Sequence, residues 1–104
     1  MPKSSKIGDQ SKFSRQPWVI TPEQSRAARG WLGWPQAELA KQANVSLRTV
    51  AAFERSEKNP LPNHLAVLRR VIEAAGVRLL FDTNGAAAGI LRRDANPDLS
   101  HDAK

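Results

Sequence analysis

From residue 21 to residue 76, apolar side chains recur at three- and four-residue intervals, the spacing of helices with one buried face. Thr21-Pro22-Glu23-Gln24 opens the first: threonine caps, proline suits the first helical position, and Gln24 stands where a capping box takes Glu or Gln. Ala27, Ala28, Trp31 and Leu32 follow at helical spacing, and Gly33 offers the stop. A second helix is expected from about Pro35 to Ala43, with Ala37, Leu39, Ala40 and Ala43 available for one face. Asn44 can take the left-handed conformation of a tight helix–helix turn. Ser46 then caps a third helix running through about Arg55, with Val50, Ala51 and Phe53 inward. Asn59-Pro60-Leu61-Pro62 breaks the chain, and Asn63 is expected to cap a fourth helix. Its stripe of Leu65, Leu68, Val71, Ile72 and Ala75 ends at Gly76.

Beyond Gly76 the period falls to two. Val77, Leu79 and Phe81 alternate with Arg78, Leu80 and Asp82, the pattern of a strand. Asn84-Gly85 signals a turn, and Ile90-Leu91-Arg92 can return as a second strand across a connection longer than a two-residue hairpin loop. The pattern predicts a mainly α fold, four helices followed by a C-terminal strand or small hairpin. It divides the chain into an arm (1–17), a helical domain (18–76), the strand or hairpin (77–93) and a disordered tail (94–104).

Composition narrows the chemistry. With 40% hydrophobic and 25% charged residues, the chain resembles an ordinary globular protein. No apolar run approaches the roughly 18 residues of a membrane span, and no signal-peptide pattern follows Met1. The absence of cysteine excludes disulfides, iron–sulfur clusters, thiolate zinc sites and cysteine nucleophiles. His64 and His101 do not make a histidine-rich metal site, tyrosine is absent, and there is no glycine-rich phosphate loop. No catalytic residue, metal or cofactor is therefore expected, and Glu54 and Glu57 read as salt-bridge and surface residues.

The net charge of +6 is unevenly spread: +4 falls on residues 1–29, and +1 on each of 30–60 and 61–104. An anionic partner is implied. The arm, with Lys3, Lys6, Lys12 and Arg15, is either a solubilising tail or a nucleic-acid contact.

The function-bearing constellation is residues 36–54, Q-A-E-L-A-K-Q-A-N-V-S-L-R-T-V-A-A-F-E. Two helices of about eight residues, joined by so short a turn, must cross steeply as a helix-turn-helix. Small Ala40 permits close approach, while Val45 and Val50 fill the angle. The second helix then projects at a size that fits the major groove of DNA.

This stretch resembles the Cro/cI-type (XRE) helix-turn-helix family, which includes the lambda-type phage repressors. The matching residues are Gln36, Glu38-Leu39-Ala40, Asn44-Val45, Ser46, Val50 and Phe53-Glu54-Arg55, with the first helix before them and Asn59-Pro60 and the fourth helix after. The resemblance implies a four-helix lambda-repressor-like domain that binds double-stranded DNA as a cytoplasmic, nucleoid-associated transcriptional regulator, such as a repressor. It places base reading on Leu47, Arg48, Thr49 and Ala52. Arg48 can bond guanine O6 and N7 together, Leu47 and Ala52 can pack on a thymine methyl, and Thr49 can pack on a methyl or bond a base or phosphate. Phosphate contacts fall on Gln36, Ser46, Arg55, Lys58 and Asn59, and Arg29 with Glu54 makes a structural ion pair.

Two positions depart from the family pattern. Pro35 stands where a capping residue is usual, so the second helix is expected to start with Trp34 as a poor cap, losing about 1 kcal/mol. Asn44 replaces the usual turn glycine. Trp18, Trp31 and Trp34 around the first helix read as core packing or a partner surface.

Family members commonly dimerise on an inverted repeat, and the candidate dimer element here is Val77, Leu79 and Phe81. The alternative for that strand is pairing within the chain. An alternative function is an antitoxin-like or anti-activator module whose DNA binding is autoregulatory, its protein partner being a toxin, an activator or RNA polymerase.

Overall fold

The computed structural model describes residues 16–92; Lys3, Lys6, Lys12 and Arg15 of the expected arm, and the tail from 94 to 104, lie outside the described residues. Four helices precede an antiparallel hairpin: α1 (Pro22–Leu32), α2 (Gln36–Ala43), α3 (Leu47–Glu54), α4 (Pro62–Ala74), β1 (Val77–Phe81) and β2 (Ala87–Arg92).

The capping chemistry explains most of the boundaries. Thr21 Oγ1 accepts from the Gln24 N–H at 3.2 Å, and Gln24 Oε1 accepts from the Thr21 N–H at 3.1 Å, a reciprocal capping box. Gly33 ends α1 in the left-handed conformation (φ 72°). Asn44 does the same for α2 at φ 57°, and the Val45 N–H bonds back to the Ala40 carbonyl at 3.0 Å. Ser46 caps α3 by accepting from the Thr49 N–H at 3.0 Å.

Two helix starts differ from the sequence reading. Pro35 is itself the N-cap of α2, and α2 begins at Gln36; no side chain caps it. Proline at the cap costs nothing in lost donors, because the first intrahelical acceptor is its carbonyl, which takes the Glu38 and Leu39 N–H groups. Helix α4 begins at Pro62 with Leu61 as its N-cap, so Asn63 is already inside the first turn. The fixed φ of Pro62 suits the first helical position and moves the start back by two residues.

The helices enclose one core of Ile20, Ala28, Leu39, Ala40, Ala43, Val50, Phe53, Leu65, Leu68, Ile72, Val77 and Leu79. Each fully buried Leu, Ile or Phe contributes about 1.5–3 kcal/mol of apolar burial. The buried face of α1 departs from expectation: Ala28 is buried, but Ala27 faces out and Trp31 is 60% exposed. Polar Gln24 and Ser25 occupy that face, each held by hydrogen bonds that make their burial tolerable. Ala75, expected at the end of the α4 stripe, is an exposed C-cap.

The strand question is answered within the chain. Val77 pairs with Arg92, Leu79 with Ile90 and Phe81 with Ala87, with a bulge at Leu80/Phe81. The second strand reaches back to Ala87, further than the apolar residues alone suggest. Val77 and Leu79, read from sequence as dimer contacts, are buried in this chain's own core, so their side chains are not available to a second copy. Gln24 sits beneath the bulge and donates through Nε2 to the carbonyls of Leu80 (2.9 Å) and Gly89 (3.2 Å), joining the start of α1 to the hairpin.

The hairpin turn is latched from the other end. The Trp18 N–H donates to the Gly85 carbonyl at 2.8 Å, and the Trp18 ring lies 5.9 Å from that of Phe81. Arg69 stacks over Phe81 at 4.9 Å and donates to the Trp18 carbonyl at 3.0 Å. At Gly85 (φ 86°) an added Cβ would stand 2.6 Å from Pro17 Cβ and 2.8 Å from Trp18 Nε1. We expect Gly85→Ala to destabilise the protein by about 2–3 kcal/mol, combining left-handed strain with overpacking. Urea unfolding followed by tryptophan fluorescence measures it as a lowered midpoint.

Candidate nucleic-acid interface

Helix α3 has one face locked inward and one face presented. Val50, Phe53 and Glu54 are buried, whereas Arg48 is exposed, Leu47 is 50% exposed, and Thr49 and Ala52 are half-buried. Arg48, Ala52 and Arg55 recur at the spacing of one helical face. Eight residues make a helix about 12 Å long, comparable to the width of the B-DNA major groove.

The lock is the carboxylate of Glu54, 2% exposed at the end of α3. Arg29 of α1 reaches it through Nη2 at 2.7 Å and Nε at 2.9 Å. Ser25, one turn earlier on the same helix, donates its hydroxyl to Oε2. Gln36, the first residue of α2, donates Nε2 to Oε1 at 3.0 Å. Arg29 also holds the Trp34 carbonyl at 3.0 Å, and Arg26 reaches the carbonyl of Glu54. Three helices thus meet on one charge. Burial pushes the Glu54 carboxyl up, but the hydrogen bonds from Arg29, Ser25 and Gln36 outweigh it and hold the group below the ordinary carboxylate value.

The residues expected at phosphates divide by what they already hold. The second Nε2 hydrogen of Gln36 remains available for a phosphate while the first serves Glu54. Ser46 Oγ and Thr49 Oγ1 lie 2.8 Å apart, so one hydroxyl hydrogen is taken by the pair and the other is available. Arg55 bonds the exposed Glu57 at 2.8 Å, an ion pair that DNA would have to open or share. Among the described residues neither Arg48 nor Lys58 forms an ion pair, and Asn59 is half-buried beside them.

Sequence reasoning identified Arg29 and Glu54 but missed Ser25 and the inward bond of Gln36. Ser25 and Arg29 stand four residues apart, flanking buried Ala28, a spacing that puts both on the core face and was the available signal. The tryptophans do not form one cluster: Trp34 packs against the core, Trp18 meets Phe81, and Trp31 is exposed.

Comparison with known proteins places this geometry. A family model described as helix-turn-helix matches residues 26–77, half of the chain, and spans α2, the turn and α3. No curated protein matched the chain. Among the described residues no helix is long and apolar enough to cross a membrane.

Removing one partner of a buried ion pair leaves the other charge uncompensated. We expect Arg29→Met to cost about 3–5 kcal/mol by urea unfolding at pH 7. Because the folded-state Glu54 group titrates below its unfolded value, its contribution is fully present above the unfolded value and is lost as pH falls through the folded one. Stability of the unmutated protein therefore falls on acidification below about pH 4.5, and Glu54→Gln removes that part of the fall.

Proposed function

The chain belongs to the helix-turn-helix family of the Cro/cI (XRE) type, DNA-binding regulators, and from that premise we propose that it reads a specific duplex through α3 as a dimer on an inverted repeat. The observation that carries this is the two-sided character of α3, whose inner face is pinned by Glu54 while Arg48 stands exposed on the outer one. Leu47, Arg48, Thr49 and Ala52 are its base readers; Gln36, Ser46, Arg55, Lys58 and Asn59 hold phosphates. Lys3, Lys6, Lys12 and Arg15 add non-specific contacts to the backbone or the minor groove.

A single short recognition helix reads only a few base pairs, which favours two helices about 34 Å apart. The hairpin is the element we assign to the dimer contact. The Leu79 N–H on β1 is taken by Glu73 Oε2 at 3.3 Å, whereas Ala87 and Ala88 on β2 are exposed, so the outer edge of β2 suits a second copy better. The protein-binding alternative draws support from exposed Trp31, a large apolar side chain on α1 away from the α3 contacts of that helix. A toxin, activator or RNA polymerase surface bound there would co-purify in fixed stoichiometry and be lost in Trp31→Ser, with DNA affinity unchanged.

Selection from random duplex pools is expected to enrich one sequence containing an inverted repeat; equal affinity for unrelated duplexes would refute specific reading. Arg48→Ala should relax discrimination at one base pair by about 1–3 kcal/mol. Lys58→Ala, like Lys12→Ala or Arg15→Ala, should weaken all duplexes evenly and flatten the salt dependence by about 0.9 in the log–log slope. Fluorescence anisotropy titrations from 50 to 200 mM salt, a range set by the expected steepness, distinguish the two behaviours.

A further inference from the structure

Beside the outer face of α3 lies an open groove of about 600 Å³, closed on its far side by the α3–α4 connector and the first turn of α4. Arg48 lines it from α3, Arg55 and Lys58 from the connector, and His64 from α4. Among the described residues Glu57 is the one carboxylate that lines it, and it is bonded to Arg55. That bond holds the Glu57 carboxyl below its ordinary value, so it keeps its charge throughout the range in which histidines titrate. The groove is open to solvent and is lined by Arg48, Arg55 and Lys58, which fits a polyanion better than an enclosed small ligand.

His64 is half-buried, and its backbone N–H is spent on the Leu61 carbonyl at 2.9 Å, which leaves the imidazole as its means of contact. We propose that this groove extends the DNA interface beyond α3, with the His64 imidazolium holding a backbone phosphate of the strand whose base meets Arg48, so that DNA affinity is tied to pH. The inference rests on the DNA-binding reading above. Neutral imidazole offers one donor and one acceptor, whereas imidazolium offers two donors and a charge. A phosphate against the ring favours the protonated form, so binding takes up a proton and affinity rises as pH falls. Arginine and lysine are cationic across neutral pH whereas imidazole is the side chain whose ordinary range falls there, and among the described residues His64 is the imidazole that lines the groove.

The test is duplex affinity between about pH 5.5 and 8.5 at several salt concentrations, for the full chain and for three variants. The unmutated protein is expected to bind about three- to tenfold tighter at the acidic end, with a salt slope steeper by about 0.9, the value for one further neutralised phosphate. His64→Gln should be weak and flat with pH, and His64→Lys tight and flat. His101→Gln, a change beyond the described residues, should behave as the unmutated chain. Retention of the full pH dependence in His64→Gln overturns the proposal, as does pH-independent binding by the unmutated protein. Absence of duplex binding at every pH would instead overturn the DNA-binding reading on which it stands.

Discussion

Everything that α3 presents to its surroundings depends on one buried carboxylate. Glu54 stands at the last residue of the helix and receives Arg29 and Ser25 from α1 and Gln36 from α2. A charge removed from water is strongly unfavourable unless its acceptor sites are filled, so the three helices can satisfy it only in one relative placement. That placement sets the direction in which Arg48 projects. The apolar core of Leu39, Val50 and Phe53 supplies the burial but tolerates small adjustments; the hydrogen bonds at Glu54 do not.

A second, weaker tie works through Gln24. The same side chain closes the capping box of α1 and donates to the carbonyls of the hairpin bulge, so the start of the first helix and the end of the described chain share one amide group. Trp18, Arg69 and Phe81 secure the turn of the hairpin from the opposite side. The hairpin is thereby spent on the fold through its inner residues.

Much of the site was legible because it is local. The Asn44 turn, the Ser46 cap and the outward spacing of Arg48 and Ala52 follow from rules that act over three or four residues. The ion pair of Arg29 and Glu54 came from the family resemblance rather than from spacing. What resisted reading were polar side chains buried by partners distant in sequence: Ser25 on Glu54, and Gln24 on Leu80 and Gly89. On α1 the apolar rule favoured Ala27 and Trp31, yet hydrogen-bonded polar residues hold the core face and Trp31 lies outside.

By itself, the sequence determined the order and type of the elements, the tight turn between α2 and α3, and the outward position of the residues expected to read bases. Those features arise from backbone preferences and periodicity, which each segment carries in its own residues. Only the tertiary structure decided that β1 pairs with β2 in the same chain, that Val77 and Leu79 are core, and that Gln36 serves Glu54. It alone placed His64 and Arg48 along one groove. These outcomes depend on which surfaces meet, and a strand edge or a carboxamide gives no local sign of the partner that will satisfy it.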